Sequence, residues 1–146
     1  MKTLSLLLLL SSSLYASEVY FQGPCQEEPF LKGEVTGSGI TAGAATIVLL
    51  NRSQIEYVGS DAGINSIAET PVGRGAIEVV SDTHLRAYGW CYEVDGFQPA
   101  AMPDQIVLKG DEVIRWFFAY SSYRDGQWMD YCTPSYQIRP SFLCKD

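Results

Sequence analysis

The chain has one histidine, His84, and no two of its four cysteines lie at the short spacing of a C-x-x-C pair. A cysteine nucleophile needs an imidazole as base, so only His84 could serve, and a structural zinc site needs closely paired ligands that do not occur here. Basic residues are scarce. Ten Lys and Arg stand against 17 Asp and Glu, giving a formal net charge of −7 with no basic cluster. Such a surface repels phosphate backbones and anionic bilayers, so nucleic acid is not an expected partner. Long apolar runs are absent too: the leucine-rich stretch Leu4 to Leu10 is far short of the about 20 residues a spanning helix requires, and no second run follows. The chain also lacks G-x-S-x-G, H-E-x-x-H, a phosphate-cradling glycine loop and internal repeats.

What is present at the start is Lys2, the leucine run, and small and polar residues ending at Tyr15-Ala16. This pattern reads as a secretory signal peptide over residues 1–16, cut after Ala16. Cys25 sits behind Gln-Gly-Pro and not after a small-residue lipobox, so a lipid anchor is not expected. About 130 residues remain, enough for one domain with its own core. The division expected is an N-terminal extension over 17–33 and a single domain over 34–146. The protein is read as exported, periplasmic or secreted, and monomeric.

Cys25, Cys91, Cys132 and Cys144 all lie beyond the leader, and an even number in an oxidising compartment implies two disulfides. Sequence does not choose among the three pairings. The expectation adopted is Cys91 with Cys132, each in an aromatic strand-like segment, and Cys25 with Cys144, tying the two ends of the domain.

From Gly33 onward, short apolar stretches are divided by glycine: GEVTGSG, ATIVLLN, QIEYVG, GINSI, AIEVV, YGWCYEVDGF, EVIRWFFAY and SYQI. This spacing predicts a sheet with turns. In Tyr88 to Val94 the period of two puts Tyr88, Trp90, Tyr92 and Val94 on one face, with Gly89, Cys91 and Glu93 on the other. Asp95-Gly96 is a tight hairpin pair. A partner strand over Glu112 to Tyr120 places Ile114, Trp116, Phe118 and Tyr120 opposite Val113, Arg115, Phe117 and Ala119. The helix candidate is Thr41 to Gln54, capped by Thr41, with Ala44, Ile47, Val48 and Leu50 along one side, although ATIVLL also fits a buried strand. A second short helix is predicted over Ser81 to Arg86.

Gly63-Ile64-Asn65-Ser66-Ile67, Gly89-Trp90-x-Tyr92-x-Val94-Asp95-Gly96 and Leu108-Lys109-Gly110-Asp111-Glu112-x-Ile114-x-Trp116 resemble, in order, the three signature strands of the transcobalamin C-terminal-like domain. Asp95 stands where that family usually has asparagine, and the turn suits either. The resemblance spans Gly63 to Tyr120 and implies an α+β, β-grasp-like fold: a mixed sheet crossed by one helix. It also implies a small ligand of cobalamin type. This chain has no helical barrel against which such a vitamin is held in transcobalamin, and its segment Tyr123 to Cys144 extends past the family core.

Tyr88, Trp90, Tyr92, Trp116 and Phe118 are the candidate ligand-binding residues, as an aromatic platform for a flat or sugar-like molecule; the competing reading is sheet core, where such side chains usually lie. His84, in SDTHLR, has no acid or nucleophile beside it in sequence, so no catalytic residue is assigned. Gly110-Asp111-Glu112 reads as a turn followed by a solvated residue. Asp61-x-Gly63-x-Asn65 and Asp125-Gly126 lack the full calcium-loop series, so no metal is expected. Asn51-Arg52-Ser53 is a glycosylation sequon in a eukaryotic setting. The chain is thus expected to bind a small molecule or a protein partner, without catalysis and with cobalamin the one cofactor candidate.

Overall fold

A computed structural model describes residues 15–145. The first 14 residues of the expected leader lie outside the described residues. The chain forms β1 (Ala16–Gln22), β2 (Pro29–Thr36), α1 (Ala42–Arg52), β3 (Tyr57–Ser60), β4 (Gly63–Ile67), β5 (Ile77–Ser81), β6 (His84–Val94), β7 (Val113–Arg124) and β8 (Gln127–Pro134). Single 3-10 turns occur at Gly73–Ala76, Pro103–Gln105 and Ser135–Gln137. The last of these covers most of SYQI, so that stretch is a turn and not the expected strand.

Six strands make one curled mixed sheet in the order β2-β1-β7-β6-β5, with β8 also paired to β7. β1 and β7 run parallel, and their other neighbours are antiparallel. β1 accompanies β7 along Val113 to Phe117, and β8 takes over from Ala119 to Arg124. The stretch 17–33, expected to precede the domain, therefore supplies an interior strand and five of the eight residues of its neighbour β2. β3 and β4 form a separate two-stranded ribbon.

α1 forms where the apolar stretch is preceded by Thr41, whose hydroxyl accepts the Ala44 N–H at 3.1 Å. Its buried side differs from the predicted one. Ala42, Gly43, Ala45, Thr46, Leu49 and Leu50 face inward, while Val48 is exposed and Ala44 and Ile47 are only partly covered. Close approach explains the shift: a Cβ at Gly43 would lie 1.9 Å from the Asp61 carbonyl oxygen, so the helix packs on its small residues. Its core partners are Val19, Phe21, Val35, Ile67, Leu108 and Ile114.

The helix predicted over Ser81 to Arg86 is a hairpin instead. β5 and β6 pair Ile77 with Ala87 and Val79 with Leu85, and Asp82-Thr83 makes the turn, because backbone pairing across the sheet outweighs the local capping signal. Asp95-Gly96 turns as expected: both residues have positive φ, and Val94 and Phe97 exchange hydrogen bonds across the pair.

The disulfides are Cys25–Cys144 and Cys91–Cys132. The first holds the C-terminal segment near the end of β1, where Ser135 Oγ also donates to the Pro24 carbonyl at 3.0 Å. That segment brings Ile138 and Leu143 over a second, smaller core of Tyr88, Phe118, Tyr120 and Ala76.

Candidate functional site

The register of β6 and β7 pairs Tyr88 with Tyr120, Trp90 with Phe118, Tyr92 with Trp116 and Val94 with Ile114. Because directly opposed residues share a face, all five predicted aromatic residues stand together on the side facing α1 and the β3–β4 ribbon. Tyr92 stacks on Trp116 with ring centres 5.3 Å apart, and Trp90 meets Phe118 edge-on at 5.6 Å.

Burial divides the five. Phe118, Trp116 (2 % exposed) and Tyr88 (7 %) are interior. Their polar tips are used within the fold: Trp116 Nε1 donates to Thr46 Oγ1 at 2.9 Å, and Tyr88 Oη donates to Glu78 Oε2 at 3.1 Å. Burial, with the Glu78 carboxylate adding to it, pushes the Tyr88 phenol up to about 12. Trp90 and Tyr92 are half-buried. Trp90 Nε1 donates to Thr70 Oγ1 at 2.8 Å, and Tyr92 Oη donates to the Ala101 carbonyl. Both present ring surface rather than hydrogen-bonding groups.

That surface borders open space. A cleft of about 450 Å³ lies between the ribbon, at Gly59, Ser60 and Asn65, and the sheet, at Trp90, Tyr92 and Trp116, with Met102 and Pro103 at one end. Beyond Trp90 a hollow of about 480 Å³ continues past Val58, Val72 and Gly73 to Tyr88. Gly59 makes the ribbon's bend: its φ is +141°, and a Cβ there would lie 2.4 Å from the Gly63 carbonyl oxygen. Among the described residues no charged side chain lines either hollow, so the combined cleft suits a flat, largely neutral molecule.

On the reverse face, Cys91 stands opposite Phe117 on β7, and Arg115 binds Glu93 at 3.0 Å and lies over the Phe117 ring at 4.2 Å. These are framework contacts. His84 accepts Arg124 Nε at 3.2 Å and makes no hydrogen bond to a hydroxyl or carboxylate among the described residues. Desolvation, then the Arg124 and Arg86 charges, holds its pKa below the ordinary value. Among the described residues no three His, Cys, Asp or Glu side chains are grouped to hold a metal ion, and no helix is long and apolar enough to cross a membrane. Asn51 of the sequon is exposed in the last turn of α1.

Glu112 is buried, not solvated as its turn context suggested. Its carboxylate accepts the backbone N–H groups of Lys109, Gly110 and Asp111 at 2.7, 2.9 and 3.1 Å, and the Ser17 hydroxyl at 3.3 Å. Burial raises its pKa, but the converging backbone donors outweigh that and hold it at about 2. Only the alternation of buried and exposed positions leading into β7 hinted at this, since Glu112 shares a face with Ile114 and Trp116.

The chain matches no protein-family model, no curated protein and no solved structure.

Proposed function

We propose that this protein is an exported, non-catalytic binding domain of β-grasp architecture, related to the transcobalamin C-terminal-like domains. It takes a flat small ligand, with cobalamin-type molecules the first candidates, in the cleft between the β3–β4 ribbon and the aromatic face. The parallel pairing of β1 with β7 at the sheet's centre, with α1 packed across one face, supports the β-grasp assignment. Two disulfides fit an oxidising compartment.

The observation that carries the reading is Trp90. Its indole is half-buried at the junction of both hollows, with its N–H already bonded, so its ring is the surface that a ligand would cover. The test is tryptophan fluorescence of the oxidised protein titrated with cobalamin, related corrinoids and flat aromatic compounds, with inner-filter controls. Saturable quenching, lost in a folded Trp90→Ala variant, supports the reading. A flat response across the panel rejects it.

A second reading, a protein-interaction module, rests on β5. This outer strand exposes Ile77, Val79 (74 %) and Val80, whereas the opposite edge, β2, carries Lys32 and Glu34. Charged edges resist pairing with other strands and apolar ones invite it. Strand pairing through β5 predicts association in light scattering that Val79→Lys abolishes; a monomer at all concentrations, binding no protein, removes this reading.

A further inference from the structure

We propose that the reverse face of the sheet carries a second binding site, for a neutral saccharide ring. It is a trough of about 280 Å³, floored by Ala87 and Gly89 of β6 and Ser121 of β7 and walled by Trp128 and Tyr131 of β8. Cys91, bonded to Cys132, also lines it. This site lies across the sheet from Trp90's ring and does not depend on the ligand proposed there.

Gly89 is the first sign of it. Glycine within a strand is destabilising, and it is kept where φ is positive, where packing forbids a side chain, or where another molecule approaches the backbone. Gly89 is not among the residues of positive φ, and a Cβ built on it meets no atom within 4 Å. Neither conformation nor packing within the chain requires glycine here. What a side chain at 89 would do is fill the trough.

The walls are the second. Trp128 (47 %) and Tyr131 (69 %) hold large rings in solvent. Both are positioned without a ligand. Tyr123 packs on Trp128 with ring centres 5.2 Å apart, and the disulfide anchors the segment that carries Tyr131. That segment is a bulge: Tyr120 pairs with Thr133 and Ser122 with Met129, which leaves Asp130, Tyr131 and Cys132 opposite Ser121. Asp130 and Cys132 adopt φ of 57° and 50°, a region unfavourable to non-glycine residues that recurs at binding sites.

The chemistry of the lining selects the ligand. Among the described residues no charged side chain borders the trough, and the chain's net charge of −7 disfavours anions. Ser121 Oγ, Tyr131 Oη and Trp128 Nε1 make no hydrogen bond among the described residues, and they offer both donors and acceptors beside the aromatic faces. A sugar ring needs that combination: its C–H faces cover aromatic rings while its hydroxyls both donate and accept. The volume suits a single ring and lies just below the roughly 300 Å³ at which ligand sites usually begin.

The test is isothermal titration calorimetry of the oxidised protein with cello-, chito-, manno- and xylo-oligosaccharides, compared with Gly89→Val and Trp128→Ala. Val suits an extended strand and leaves the melting temperature at or above that of the parent, so loss of binding in Gly89→Val is not loss of fold. The expected result is saturable binding to at least one series, weakened about tenfold or more in each variant. No saturable binding in any of the four series, or binding that survives Gly89→Val and Trp128→Ala, overturns the proposal.

Discussion

The indole N–H of Trp116, in the first half of β7, donates to the hydroxyl of Thr46 on α1 at 2.9 Å, joining residues 70 positions apart. The same hydroxyl donates to the Ala42 carbonyl at 2.7 Å, so one buried oxygen serves the helix and the sheet together. Thr46→Val keeps the shape and leaves the indole unpaired in the core. The expected cost is about 1–3 kcal/mol, read from urea unfolding. A cost below about 0.5 kcal/mol would mean that water or another acceptor reaches the indole.

Glu112 makes stability depend on acid. Its folded pKa of about 2 lies below the ordinary 4.5, so its contribution is complete above the ordinary value and is lost as pH falls through the folded one. Glu112→Gln should lower the urea midpoint at neutral pH, and the gap to the parent should shrink from pH 4.5 toward pH 2. A gap that stays constant over that window would show that charge plays no part.

Gly43→Ala should reverse the usual sign of helix propensity. Within an exposed helix this change stabilises by about 1 kcal/mol. Here the new Cβ would meet the Asp61 carbonyl oxygen at 1.9 Å, and backbone cannot rotate aside as a side chain can. A net loss of about 1–3 kcal/mol is expected in thermal or urea unfolding. A gain would show that the turn at Asp61 moves freely.

The two disulfides should fail differently. Cys25–Cys144 closes 119 residues, and the chain-entropy model assigns it roughly 5 kcal/mol, against roughly 4 for Cys91–Cys132, which closes 41. Replacing Cys25 and Cys144 by Ser should also free the C-terminal segment from Tyr88, Phe118 and Tyr120, raising amide exchange over 138–145 before the sheet opens. Replacing Cys91 and Cys132 should loosen the β8 bulge instead. Equal exchange profiles for the two double variants would contradict this division.

Much of the sheet was legible because alternation is a local property. The faces of β6 and β7, the Asp95-Gly96 turn and the Thr41 cap depend on residues within a few positions of one another, and each appears where its pattern predicts. The buried side of α1 was not legible. It is set by Asp61 and Trp116, distant in sequence, which favour Gly43 and Thr46 over the more apolar Val48. Glu112 was misread for a similar reason: three backbone N–H groups turn toward it only once the 109–112 turn has formed.

The sequence by itself determined that four cysteines could pair, that strands would dominate, and that Tyr88, Trp90 and Tyr92 would share one face of their strand and Trp116 and Phe118 one face of theirs, since side-chain alternation follows from backbone stereochemistry alone. Tertiary structure decided which of those aromatics are core and which border a cleft. Trp116 and Phe118 are covered by the helix and the second core, whereas Trp90 and Tyr92 lie beneath a ribbon that stands partly clear of them. It also decided that Ser17 to Gln22 run at the centre of the sheet and that β8 bulges over its reverse face. Those outcomes depend on which distant strands find each other, and no local pattern of side chains encodes that choice.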